Sequence, residues 1–78
     1  MNALTAVMTL DAKGLSCPLP IVKTAQAIKQ LLPGDVLEVL ATDPGSVRDF
    51  DAWCVKTGNS LLGHTEKDGV HRFMIKKG

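Results

Sequence analysis

The sequence predicts an α/β two-layer sandwich of order β-α-β-α-β-β, a mixed four-stranded sheet with two helices packed on one face. Three features carry that expectation. Apolar residues change along the chain from alternation, the period of a strand, to steps of three and four, the period of a helix, and back. Pro33-Gly34 and Gly58 interrupt the apolar runs where helices should end. Asp68-Gly69 lies between two alternating runs, the strongest short signal for a hairpin. At 78 residues the chain is expected to form one small domain over 1–78 with a modest core.

The first strand is expected over Ala3 to Leu10, where Leu4, Ala6, Met8 and Leu10 alternate with Thr5, Val7 and Thr9. Asp11, Lys13 and Gly14 end it. The first helix is expected from Pro18 to Leu32, with Ile21, Ala25, Ile28 and Leu32 as its apolar stripe, widened by Val22 and Leu31. Asp35 to Ala41 reads as a strand with apolar residues on both faces, hence a central one, and the helix before it makes a βαβ unit. A turn over Thr42 to Ser46 leads to a second helix, capped by Ser46 with Asp49 or by Asp43 before Pro44. Val47, Phe50 and Cys54, with part of Trp53, share its inner face, while Arg48, Asp49, Asp51 and Lys56 face away. Leu61 to Lys67 and Val70 to Lys76 form the hairpin. A two-residue turn pairs Glu66 with His71, His64 with Phe73 and Leu62 with Ile75, leaving Leu61 and Met74 outward. Strand order is not legible at this level.

Composition narrows the function classes. A net charge of +1 supplies no field to draw in nucleic acid or an anionic membrane, and three aromatic residues are too few for base stacking. Residues 1–10 show no basic leader segment, and their apolar run is too short to span a bilayer. Two cysteines, Cys17 and Cys54, do not make a disulfide framework. A cytoplasmic protein with reduced thiols is expected.

The chemistry points to Gly14-Leu15-Ser16-Cys17-Pro18-Leu19-Pro20, which joins the first strand to the first helix. With Pro18 in the first helical position, Cys17 becomes the N-cap, facing orphan backbone N–H groups and the positive end of the helix dipole. Such a setting lowers a thiol pKa and favours the nucleophilic thiolate. Pro18 and Pro20 fix the backbone but remove two of the four amides, leaving those of Cys17 and Leu19, so the expected activation is moderate. Lys13 is the better placed of the nearby cations; Lys23 points away. Leu19 stands where a redox pair would need its second cysteine, which argues against intramolecular disulfide chemistry. An exposed thiol on a stiff support suits a group carrier. The bland alternative is an ordinary Pro-started helix, but the strand-to-helix joint is where α/β folds expose chemistry.

The run Leu10 to Pro20, with its glycine turn and Cys-Pro-x-Pro, resembles the signature of the TusA/SirA-like sulfur-carrier family. Lys23-Thr24 is similar to the residues that commonly come after Cys-Pro-x-Pro in that family, and Asp43-Pro44-Gly45-Ser46 with Arg48-Asp49 resembles the family's second motif. The resemblance runs from about Leu10 to the C-terminus. It implies that Cys17 carries sulfane sulfur as a persulfide. It also implies a cysteine desulfurase or rhodanese-type donor and a downstream acceptor protein, in tRNA thiolation, cofactor assembly or sulfur oxidation. On that reading Gly14, Pro18, Leu19, Pro20, Lys13 and Asp11 support the cysteine, and Asp43 and Arg48 are candidates for partner docking.

Other residues have plainer readings. Cys54 is expected to be a core thiol. Cys17, Cys54, His64 and His71 fit no familiar zinc spacing, and no metal or cofactor is expected. His71 opposite Glu66 reads as a surface cross-strand pair. Asp43 and Asp49 are assigned to the helix start, and Asp11 to hydrogen bonding in the turn before Cys17. The alternative function is a non-catalytic regulatory or interaction module binding protein or RNA, and the near-neutral charge counts against RNA.

Overall fold

The computed structural model describes residues 6–78, and its elements keep the expected order. They are β1 (Met8–Ala12), α1 (Leu19–Ile28), β2 (Val36–Ala41), α2 (Ser46–Thr57), β3 (Ser60–Lys67) and β4 (Val70–Lys76). The sheet runs β1-β2-β4-β3, with β1 and β2 parallel and the other pairs antiparallel, so it is mixed. β2 is central, as its two apolar faces require. No described helix is long and apolar enough to cross a membrane.

The core lies between the helices and one face of the sheet. Met8, Leu10 and Ala12 of β1 pair with Leu37, Val39 and Ala41 of β2, which pair with Ile75, Phe73 and His71 of β4. Phe50 of α2 is fully buried and packs on Phe73 with ring centroids 4.6 Å apart. The other sheet face carries a polar network across three strands: Glu38 accepts a hydrogen bond from Thr9 Oγ1 at 2.8 Å and forms an ion pair with Arg72.

Several boundaries and faces differ from expectation. Residues 3–5 of the expected first strand lie outside the described residues, and the strand continues through Asp11 to Ala12 because Ala12 pairs with Ala41 in the core. α1 stops at Ile28 rather than Leu32; the amides of Gln30 and Leu31 bond three residues back, which tightens the chain out of the α-helix. Its inner face is also turned. Thr24 is fully buried, its hydroxyl donating to the Pro20 carbonyl at 2.8 Å, while Leu32 is exposed. In the hairpin, Glu66–His71 and His64–Phe73 pair as expected, but a β-bulge at Leu61/Gly63 sets Leu61, not Leu62, opposite Ile75. The bulge turns Leu61 onto the core and leaves Leu62 exposed. His71 is buried rather than on the surface: its Nδ1 and His64 Nε2 share a hydrogen bond at 3.0 Å.

Candidate functional site

The joint between β1 and α1 is built by short-range bonds that the sequence order dictates. Asp11 Oδ1 accepts the Lys13 amide at 3.0 Å, the turn role expected of it. Gly14 comes next with φ of 81°, a left-handed backbone that glycine adopts without cost, and donates its amide to Thr42 Oγ1 at 2.9 Å. That bond ties the end of β1 to the end of β2. The chain then rises through Ser16 and the exposed Cys17 into α1, whose Pro20 is buried beneath the exposed Pro18 and Leu19. Lys13 is exposed beside the turn.

The helix begins one residue later than expected. Pro18, not Cys17, is the N-cap, and Val22 bonds back to the Pro18 carbonyl at 3.1 Å. Both amides that the prolines spare are already engaged: Leu19 donates to the Ser16 carbonyl at 2.9 Å, and Cys17 to Asp43 Oδ2 at 3.0 Å. Neither remains to hold an anion on the sulfur.

The larger departure is in the charge around the thiol. Asp43 closes the turn before α2. Its Oδ1 accepts the Gly45 amide at 3.4 Å, and its carbonyl accepts the Ser46 hydroxyl at 2.6 Å and the Ser46 amide at 3.0 Å. Ser46 therefore bonds backward, Gly45 is the N-cap, and the expected capping box does not form. Freed from that role, Asp49 does not face away but lies in the first turn of α2 with its carboxylate turned to Cys17. Cys17 Sγ and one carboxylate oxygen from each of Asp43 and Asp49 lie within 4.8 Å of one another.

This arrangement overturns the expected activation. The thiol's hydrogen bond to Asp49 raises the Cys17 pKa above its ordinary value, and desolvation and the nearby Asp49 and Asp43 charges push the same way. A helix start would favour the thiolate, but two carboxylates at this range favour the thiol. Asp49 is the site residue that sequence reasoning missed. The signal was present in the pairing of Asp43-Pro44-Gly45-Ser46 with Asp49, which a local capping rule accounted for too readily.

Among the described residues, Cys17, Asp43 and Asp49 are the one group of three potential ligands whose atoms converge. It offers one sulfur and two oxygen donors without an imidazole, and both Asp43 carboxylate oxygens accept backbone amides. Cys54, by contrast, is buried in the core as expected, and burial pushes its thiol up to about 11. An open cleft of about 650 Å³ is lined in part by Pro44, Arg48, Asp49 and Leu61. Arg48 is exposed on its wall, whereas Asp43 is drawn in to the cysteine.

Comparison with known proteins gives the family. The family described as "Sulfurtransferase TusA" matches residues 8–77. The protein named "Sulfur carrier protein TusA" of Allochromatium vinosum is 52% identical over 68 residues, covering 87% of this chain and 90% of that one. A relative in Bacillus subtilis is 48% identical over 73 residues, 94% of this chain but 40% of that longer protein. The crystal structure of a SirA-like protein from Desulfitobacterium hafniense superposes with a TM-score of 0.81 at 28% identity, covering 92% of this chain and 99% of that one. With a family match over nearly its whole length and the same fold in a solved SirA-like structure, this chain belongs to the sulfurtransferase TusA family.

Proposed function

We propose that the protein is a sulfur carrier that accepts sulfane sulfur on Cys17 as a persulfide and passes it to an acceptor protein. The observation that carries this reading is the exposed Cys17 at the Gly14–Pro18 joint, its backbone gripped by Asp43 while its sulfur stays open to a partner. Family membership and the relative named as a sulfur carrier support it.

The raised thiol pKa suits an intermittent carrier. Empty Cys17 rests as a thiol, which protects it from oxidation and stray alkylation. A persulfide is intrinsically more acidic than a thiol, so the loaded form ionises in a setting that keeps the empty form protonated. The donor is of the cysteine desulfurase or rhodanese type, and the acceptor belongs to a relay for tRNA thiolation, cofactor assembly or sulfur oxidation. Transfer needs only contact between two sulfur atoms, so this chain is a sulfurtransferase in the carrier sense.

Incubating the protein with a cysteine desulfurase and L-cysteine, then weighing it intact, tests the reading. The expected result is a reductant-sensitive gain of one sulfur atom, lost in Cys17→Ser and kept in Cys54→Ser. No gain from a panel of donors, or a gain that tracks Cys54, rejects it in favour of a non-catalytic interaction module.

A further inference from the structure

We propose that Asp49 moves the Cys17 proton, taking it as the sulfur is loaded and returning one as the sulfur is handed on. The proposal rests on the reading of Cys17 as the sulfur-bearing residue and adds a division of labour between the two carboxylates beside it. Asp43 is committed to the backbone, with Oδ2 on the Cys17 amide and Oδ1 on the Gly45 amide. It is a positioning residue. No bond from a backbone amide to the Asp49 carboxylate is found among the described residues, and one of its oxygens lies within 4.8 Å of Cys17 Sγ. Asp49 therefore has an oxygen close enough to the reacting atom for a proton to pass directly or through one water.

The chemistry needs such a group. Loading converts Cys17–SH and a donor R–S–SH into Cys17–S–SH and R–SH. A bond forms between Cys17 Sγ and the outer sulfur, and the donor's S–S bond breaks. The bonding pair leaves with the donor sulfur, which takes up the proton that Asp49 has accepted from Cys17, and no oxidant or reductant is consumed. Passage through a free Cys17 thiolate would set a third negative charge beside Asp43 and Asp49. If the proton moves to Asp49 while the new S–S bond forms, the charge around Sγ never rises. Unloading is the mirror image. An acceptor thiol attacks the outer sulfur, Sγ departs with the bonding pair, and Asp49 returns a proton to it, replacing the one the acceptor thiol sheds. The other charged groups near the joint are Asp11 and Lys13 on the β1–α1 turn and Arg48 at the cleft, all exposed.

The competing role for Asp49 is a static charge that merely suppresses the thiolate. The two roles predict opposite results for Asp49→Asn. A static charge, once removed, leaves more thiolate and faster loading. Loss of a proton acceptor slows loading although more thiolate is present.

The test is single-turnover loading of the full chain, monitored by intact mass, with a cysteine desulfurase and L-cysteine and separately with inorganic polysulfide. Iodoacetamide alkylation is measured in parallel across pH. Asp49→Asn should alkylate at lower pH than the wild type yet load roughly 100-fold more slowly at pH 7. Asp49→Glu, which keeps a carboxylate, should recover much of the rate. In the wild type alone, loading should already be near its plateau at a pH well below the midpoint of alkylation. The proposal is overturned if Asp49→Asn loads as fast as the wild type or faster. It is equally overturned if the wild-type loading and alkylation profiles superimpose, a result that needs no variant to fold. A wild type that takes up no sulfur from either donor rejects the carrier reading and this proposal with it. A wild type that loads on Cys17 while Asp49→Asn keeps pace rejects this proposal alone.

Discussion

At the scale of single residues, the sulfur of Cys17 is governed by groups distant in sequence rather than by its own helix. A thiol next to a helix start is ordinarily made more acidic, yet here the amides are spent on Ser16 and Asp43 and the facing charges are negative. Alkylation of Cys17 by iodoacetamide should therefore have its midpoint at higher pH than an unstructured cysteine peptide, because a raised pKa delays thiolate formation. A midpoint at or below that of the peptide would contradict the geometry. Asp43→Ala should lower the midpoint and also destabilise the fold by about 1 kcal/mol through the lost Cys17 and Gly45 bonds, measurable by urea denaturation. Gly14 is a second sensitive point. A Cβ there meets nothing within 4 Å, so Gly14→Ala carries only the backbone cost of φ 81°, about 1 kcal/mol. Sulfur loading in that variant should slow if the turn sets the position of Cys17, and an unchanged rate would show that it does not.

At the scale of elements, α2 serves both core and site. One face presents Phe50 and Cys54 to the sheet, and its first turn presents Asp49 to α1. The buried Cys54 gives the element a pH signature. Its folded pKa of about 11 lies above the 9.0 of an unperturbed thiol. Below pH 9 both folded and unfolded forms are protonated, and the contribution is complete. As pH rises toward 11 the unfolded chain ionises first, so stability should fall by roughly 2–3 kcal/mol. Cys54→Ala should be less stable at neutral pH, by the cavity it leaves, but should lose this part of the alkaline slope. An equal loss of unfolding free energy between pH 8 and pH 10.5 in the wild type and in Cys54→Ala would refute the assignment. The hairpin shows the reach of a local signal. Asp68-Gly69 set the register near the turn, and the pairs Glu66–His71 and His64–Phe73 result from it. The bulge at Leu61/Gly63 ended that register, because Leu61 is needed against the core and Gly63 tolerates the irregular backbone.

At the scale of the molecule, a small core must hold two loops in contact so that three side chains meet. The Phe50–Phe73 contact joins α2 to the central strands, and Phe50 is fully buried. Phe50→Ala should cost about 3–5 kcal/mol, a large share of the stability of a domain this size. Sulfur loading at fixed temperature should fall with the folded fraction, and a variant as stable as the wild type would show that this packing matters little. The open sheet face, with Glu38 tied to Thr9 and Arg72, is satisfied within itself. Glu38→Gln should change stability by less than about 1 kcal/mol and leave sulfur transfer unaltered.

By itself, the sequence determined what depends on near neighbours. The six elements, the central place of β2, the hairpin turn, the buried Cys54 and the thiol at the strand-to-helix joint all arise from periodicity, turn residues and proline chemistry within a few positions. Tertiary structure alone decided the strand order, the bulge that brings Leu61 inward, the burial of Thr24 and His71, and the electrostatics of Cys17. The last matters most. Asp43 and Asp49 reach the cysteine only because β1 and β2 run parallel, ending side by side and bringing the start of α2 to the start of α1. A local rule weighs a helix start by its own dipole and capping residues. It has no means of knowing which charges the fold will bring to the same point from another loop, and at Cys17 those charges reverse the sign of the effect.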